Sequence, residues 1–203
     1  MDVDSTLITQ EVVELLAEHA GSRAEVADIT ERAMRGELDF TESLRARVAT
    51  LAGLPVSVFE AVLAEVVVTP GAVELLAELA RRGWPVGLVS GGFVEVVGPL
   101  AGRLGIPRFH ANALEVEHGA LTGRVAGEVV DRAVKARTLR EFAAEAGVPL
   151  ERTVAIGDGA NDLDMLAEAG FGIAFNAKPV VCAQADAVVR DRLDAVLDLP
   201  PFA

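Results

Sequence analysis

Apolar positions keep two different periods along this chain. From Glu11 to about Val68 they recur at helical spacing. Val12, Val13, Leu15 and Leu16 lie on one helical stretch, and Gly21 ends it. Ala24 to Met34 continues in the same style. Asp39 reads as the N-cap of a helix over Phe40–Leu51, and Pro55 stands near the start of another helical turn. No strand is expected in this section. After Thr69-Pro70-Gly71 short apolar runs alternate with amphipathic stretches. Helices are predicted over Ala72–Arg82, Val94–Leu104, Val134–Ala146 and Asn161–Ala169. Strands are predicted over Pro85–Val89, Thr153–Ile156, Gly172–Phe175 and Ala187–Val189. Ala113–Val116 and Leu121–Val125, separated by Glu117–Ala120, read as a hairpin. Strands alternating with helices predict an α/β fold with a parallel sheet. The core is expected over residues 1–10 and 70–203, with 11–69 as an inserted helical unit.

Charge narrows the function classes. Eighteen Lys and Arg face 31 Asp and Glu, a net charge of −13. Such a chain repels nucleic acid and anionic membranes, though a local pocket can still take an anion. The longest uncharged stretches, Val48–Phe59 and Gly83–Val94, are 12 residues each. A membrane span needs roughly 18–20 apolar residues. A single cysteine excludes an internal disulfide framework and a cysteine zinc site. A cytoplasmic domain without nucleic-acid or membrane partners is expected.

Four short motifs carry the candidate chemistry. Asp2-Val3-Asp4-Ser5-Thr6 opens the chain with two carboxylates two residues apart, which suits a nucleophile with a neighbouring general acid; a polar N-cap is the plainer reading. Ser90-Gly91-Gly92 follows an apolar strand, where backbone N–H groups and the Ser90 hydroxyl can hold an anion; an ordinary turn reads as well. Lys135 starts a helix, where a lysine usually meets solvent. Gly157-Asp158-Gly159-Ala160-Asn161-Asp162 follows another apolar strand, placing carboxylates where ligands of α/β sheets bind. Clustered hard oxygens of this kind suit Mg²⁺, while a glycine turn with helix-capping residues is the alternative.

In their order these motifs resemble the haloacid dehalogenase superfamily of phosphotransfer enzymes. The segments DVDSTLITQE, DFTESLRARV, VSGGF, LEVEHGALTGRV, KARTL, GDGANDLDML and GIAFNAKP resemble the phosphoserine phosphatase family within it. The resemblance implies a Rossmannoid three-layer α/β/α core with a parallel sheet and an inserted helical cap. It implies a hydrolase of phosphomonoesters, with L-phosphoserine as the small-molecule substrate, acting as a monomer or homodimer. Asp2 would be the nucleophile, Asp4 the acid and base, and Lys135 a phosphate ligand. Mg²⁺ would be held by Asp2, the Asp4 carbonyl and Asp158. Ser90, Gly91, Gly92 and Asn161 would surround the phosphate, with Thr6 and Asp162 in support. Glu11 and Arg47 would take the ammonium and carboxylate of the amino acid, and Met34 and Phe40 would line the cap side.

The resemblance leaves two further functions open: phosphotransfer on another small phosphomonoester, and ligand binding without catalysis. It also implies an apolar strand ahead of the first Asp. Roughly five to ten further residues, rich in Val, Leu, Ile or Phe, are therefore expected before Met1 in the functional protein.

Overall fold

The computed structural model describes residues 1–202. Two three-stranded sets carry the sheet. In the first, β1 (Gly87–Phe93) pairs in parallel with the first half of β2 (Arg108–Glu117), whose second half turns back onto β3 (Ala120–Ala126). In the second, β4 (Val154–Gly157), β5 (Phe171–Phe175) and β6 (Ala187–Val189) run parallel in that order. Met1 and Asp2 lie between the sets. The Met1 ammonium donates to Gly87 O (2.9 Å), Val89 N–H donates to Met1 O (3.0 Å), and Asp2 N–H donates to Ile156 O (2.9 Å). Beside this seam is a cavity of about 570 Å³, lined among others by Leu79, Val86, Phe142, Val154, Ile156 and Phe171.

Neighbouring strand residues point into different apolar clusters, as a two-residue period requires. Leu88, Ile156 and Ile173 belong to one cluster, which includes Val96, Val97 and Leu100 of α6 (Val94–Arg103) and Leu75 and Leu79 of α5 (Ala72–Arg81). Val89, Ala155 and Ala174 belong to the other, with Val134 of α7 (Arg132–Glu145) and Met165 and Leu166 of α8 (Leu163–Glu168). Helices thus cover both faces, which is why these strands read as apolar runs.

Between Asp2 and α5 come four helices, α1 (Val12–Ala20), α2 (Arg23–Met34), α3 (Phe40–Ala49) and α4 (Val58–Glu65). Asp39 caps α3 in a reciprocal box with Glu42, each backbone N–H donating to the other's carboxylate. The chain enters and leaves this section side by side: Thr9 N–H donates to Val67 O, and Thr69 N–H to Leu7 O. Its far end docks on the β2–β3 hairpin through Gly53 N–H to Leu121 O and Leu121 N–H to Leu54 O. The hairpin turns at His118 and Gly119, both with positive φ (52° and 79°), as a two-residue turn of this hand demands. Among the described residues no helix is long and apolar enough to cross a membrane.

Two strands differ from the sequence expectation. The strand expected over Pro85–Val89 starts at Gly87 and runs through the expected turn to Phe93. Pro85 has no N–H to give a ladder, while Ser90 and Phe93 both find partners on β2. The register steps from Ser90 opposite Ala111 to Phe93 opposite Asn112, so Gly91 and Gly92 bulge out. β2 begins five residues before the predicted hairpin, because Arg108–Asn112 pairs with β1 rather than with β3.

Candidate active site

The bulge, the end of β4 and the Met1–Asp2 seam all lie at the carboxyl ends of the parallel strands. Asp2 leaves the seam beside Gly157, buried to 4% exposure. Val3 accepts from Thr6 N–H and Ile8 N–H, which folds the following loop tightly and keeps Asp4 near Asp2. Thr69 Oγ1 donates to Thr6 O (2.7 Å) and pins that loop from the α5 side. Thr6 Oγ1 in turn donates to Asp158 Oδ1 (3.2 Å).

Lys135 is fully buried, one turn into α7, whose start is capped by Asp131. Its Nζ donates to Asp162 Oδ1 at 2.7 Å. It stands 2.7 Å from Asp2 Oδ1 as well, off the line of a good hydrogen bond. Burial alone would lower this ammonium's pKa; Asp162 and Asp2 outweigh it and hold the group above its ordinary range. Asp162 Oδ2 accepts from the N–H groups of Asp158 and Gly159. Gly157 is required here: a Cβ on it would fall 2.4 Å from Asp162 Cγ.

One carboxylate oxygen each of Asp2, Asp158 and Asp162 lie within 4.8 Å of one another. Burial, then the Asp162 charge, pushes Asp2 up to about 8 against the pull of Lys135. The same two causes push Asp158 up to about 7. More negative charge is gathered here than one lysine offsets, so a cation is what this donor set lacks. Hard, partly buried oxygens suit Mg²⁺. Asp162 is already satisfied by three donors, which leaves Asp2 and Asp158 as the carboxylates free to ligate.

Asp4 is different. Its Oδ1 is buried with no hydrogen-bond partner among the described residues. Burial, then the charges of Glu11 and Asp2, raises its pKa well above the carboxylate range, partly opposed by the Val12 N–H at the start of α1. These causes favour the protonated form of Asp4. Its Oδ2 and the Ser90 hydroxyl flank Gly92, each 3.0 Å from where a Cβ would stand. Ser90 is fully buried and its Oγ accepts from Gly92 N–H at 2.8 Å. That N–H is engaged, rather than open to an anion as the sequence suggested. The hydroxyl proton of Ser90 stays available.

The helical section supplies the other wall. Phe40, the first residue of α3, brings its ring tip 3.1 Å from a Cβ built on Gly91, and the Asn161 amide lies 3.9 Å from the same point. Arg47 faces inward from α3. Burial lowers its pKa, and the charges of Glu11 and Asp4 raise it back in part. Its Nε donates to Ser43 O (3.3 Å), and the rest of its fork makes no hydrogen bond among the described residues. Glu11 Oε1 accepts from the Ser5 hydroxyl at 2.6 Å. Met34, by contrast, is 68% exposed at the end of α2. Sequence reasoning passed over Ser5, Thr69 and Asn112. For Asn112 the available signal was one amide within the otherwise apolar run Ala111–Leu114.

The model of the haloacid dehalogenase-like hydrolases matches residues 1–167. The chain is 62% identical over 200 residues to a phosphoserine phosphatase of Streptomyces coelicolor, covering 98% of this chain and 49% of that one. It thus spans about half the length of curated relatives such as this. Against the phosphoserine phosphatase of Streptococcus thermophilus the identity is 58% over 185 residues, covering 91% and 86% of the two chains. A solved phosphoserine phosphatase carrying a phospho-aspartyl intermediate analogue superposes with a TM-score of 0.91 at 42% identity, covering 97% and 95%.

Proposed function

The chain belongs to the haloacid dehalogenase-like hydrolases, and within that family we propose that it releases phosphate from L-phosphoserine. The observation that carries this reading is the unequal pair at the seam. Asp2 stands 2.7 Å from the Lys135 ammonium, while Asp4, two residues on, has no lysine beside it, keeps a buried Oδ1 without a hydrogen-bond partner, and is pushed toward its protonated form by burial and by the charges of Glu11 and Asp2.

The Asp2 carboxylate attacks phosphorus in line and forms an aspartyl-phosphate as the ester P–O bond breaks. Asp4 gives its proton to the departing serine oxygen, then takes one from the water that attacks the acyl phosphate. That second attack frees inorganic phosphate and restores Asp2. Lys135 and the Ser90 hydroxyl offset negative charge on the phosphoryl oxygens. Asp162 holds Lys135 in place, and Thr6 orients Asp158. Mg²⁺ would be held by Asp2, the Asp4 carbonyl and Asp158, and when bound it supplies positive charge between the anionic ester and the anionic nucleophile.

Choice of substrate rests on the wall opposite. Glu11 offers an oxygen to an ammonium and the open fork of Arg47 suits a carboxylate. The two lie close enough for Glu11 to shift the Arg47 pKa. Residues 11–69 act in this reading as a cap that closes over the bound ester and keeps bulk water out until serine leaves. The test is phosphate release in Mg²⁺ from phosphoserine, phosphothreonine and sugar phosphates, with Asp2→Asn as control. Phosphoserine is expected to lead and Asp2→Asn to be inactive. A sugar phosphate in first place would overturn the substrate assignment, and an active Asp2→Asn the nucleophile.

A further inference from the structure

Asn112 stands in β2, a strand that carries no group of the proposed chemistry, and it is 1% exposed. A buried amide must be satisfied at both ends. Its Nδ2 donates to Gly91 O at 2.8 Å, and its Oδ1 accepts from Val130 N–H at 2.8 Å. One orientation of the amide satisfies both partners, since a carbonyl cannot donate and an N–H cannot accept.

The bulge explains why the amide is needed. The register step between Ser90 and Phe93 leaves Gly91 and Gly92 without ladder partners on β2. The Asn112 side chain takes the place of the missing ladder bond at Gly91 O. The other end of that peptide unit is the Gly92 N–H, which donates to Ser90 Oγ. One peptide plane is thus tied at its carbonyl by Asn112 and at its N–H to Ser90.

We infer that Asn112 is a positioning residue for Ser90: its amide locks the Gly91–Gly92 plane so that the Ser90 hydroxyl keeps its proton for the phosphoryl group. The inference rests on the reading that Ser90 meets the substrate phosphate. With the Gly92 N–H held against Oγ, the hydroxyl proton must point elsewhere. A flipped plane would present the Gly91 carbonyl to Ser90 instead, and the hydroxyl would donate to it. Glycine on both sides makes such a flip cheap, so an external tie is required. At its other end the amide holds Val130, just before the capped start of the Lys135 helix. Asn112 therefore joins the Ser90 bulge to the segment that leads into the Lys135 helix.

The test is a double-mutant cycle on the full chain with Mg²⁺ and p-nitrophenyl phosphate. Asn112→Asp keeps the acceptor for Val130 and loses the donor to Gly91. It is expected to lower kcat/KM about tenfold when Ser90 is present, and less than about twofold in a Ser90→Ala background, because groups acting as one unit are not additive. Equal factors in the two backgrounds, or no loss with Ser90 present, overturn the inference. A Ser90→Ala chain with unchanged kcat/KM removes the phosphate role of Ser90 itself, an outcome distinct from the first two. Orthovanadate affinity across the four proteins makes the same comparison without turnover. Should the aspartate variant not fold, Asn112→Ser runs the identical cycle.

Discussion

Lys135 Nζ stands 2.7 Å from Asp2 Oδ1, with both side chains out of solvent. An ammonium so placed serves the fold and the chemistry together. It offsets the charge of Asp2, the proposed nucleophile, and lies beside the place proposed for the phosphate. Asp162 shares it at an equal 2.7 Å, from a turn more than twenty residues away.

Lys135→Met leaves two buried carboxylates without their cation. Breaking a buried ion pair from one side costs about 3–5 kcal/mol. Urea denaturation of the metal-free chain should show a loss of that size, together with loss of turnover. Lys135→Met with Asp162→Asn removes one stranded charge. It should regain much of the stability and none of the activity. A double variant no more stable than the single one would mean that Asp162 does not depend on Lys135.

Glu11→Gln and Arg47→Ala should separate recognition from chemistry. Both residues face the non-reacting end of the proposed substrate, so their loss weakens binding more than it slows bond breaking. Truncating one partner of a buried charged hydrogen bond costs about 2–5 kcal/mol. KM for phosphoserine should rise at least about tenfold, while kcat/KM for p-nitrophenyl phosphate, which has neither ammonium nor carboxylate, changes less than about threefold. Equal losses on both substrates would remove the two residues from amino-acid recognition.

Asp158 was legible from the residues themselves because it follows an apolar run, where α/β sheets place their ligands, whereas Asp2 and Lys135 took their roles from the order of the motifs and the family resemblance, Lys135 alone reading as a solvent-facing helix residue. The helical period of residues 11–68 was legible for the same reason that those helices bury one stripe each. Asn112 was not. Its role depends on Gly91, 21 residues earlier, and Val130, 18 later, and neither spacing leaves a local trace. The first half of β2 escaped because Arg108 and His110 interrupt the apolar run and Phe109 is 39% exposed. The Gly92 N–H could not be foreseen as engaged, since that follows from how the bulge turns its peptide plane.

Metal and proton should compete at Asp2 and Asp158. Their pKa values in the folded chain, about 8 and about 7, lie above the ordinary 3.8. Folding therefore takes up protons between about pH 4 and pH 8 at these groups. Their contribution to metal-free stability is fully present below pH 4 and is lost as pH rises through 7 and 8. A cation bound between them replaces those protons, so its stabilising effect grows with pH. The rise in Tm on adding Mg²⁺ to chelator-treated protein should be larger at pH 8 than at pH 5.5. Taking the Mg²⁺-dependent difference at each pH cancels the surface carboxylates, such as Glu78, whose pKa is lowered by Arg81 and Arg82. An equal rise at both pH values would mean that Mg²⁺ binds elsewhere.

Two glycines of the site should differ in how an added methyl group affects stability, though both lose activity. At Gly157 a Cβ would fall 2.4 Å from Asp162 Cγ, and that carboxylate is held by Lys135 and two backbone N–H groups. It has nowhere to move, so Gly157→Ala should lose stability and activity together, by more than the roughly 1–3 kcal/mol usual for overpacking. At Gly91 the nearest atom is the Phe40 ring tip at 3.1 Å, a tight contact with a side chain of the helical section. That ring can give way by shifting α3 outward, so Gly91→Ala should leave Tm within a few degrees of the parent. The shift instead loosens closure over the substrate, and a displacement of about 1 Å can cost roughly a hundredfold in rate. Shortening the ring relieves the contact. Gly91→Ala with Phe40→Leu should recover a measurable part of kcat/KM, whereas Phe40→Leu does nothing for Gly157→Ala. If Phe40→Leu fails to help Gly91→Ala, the loss arises within the phosphate-facing bulge itself and the approach of α3 to Gly91 is not what limits turnover.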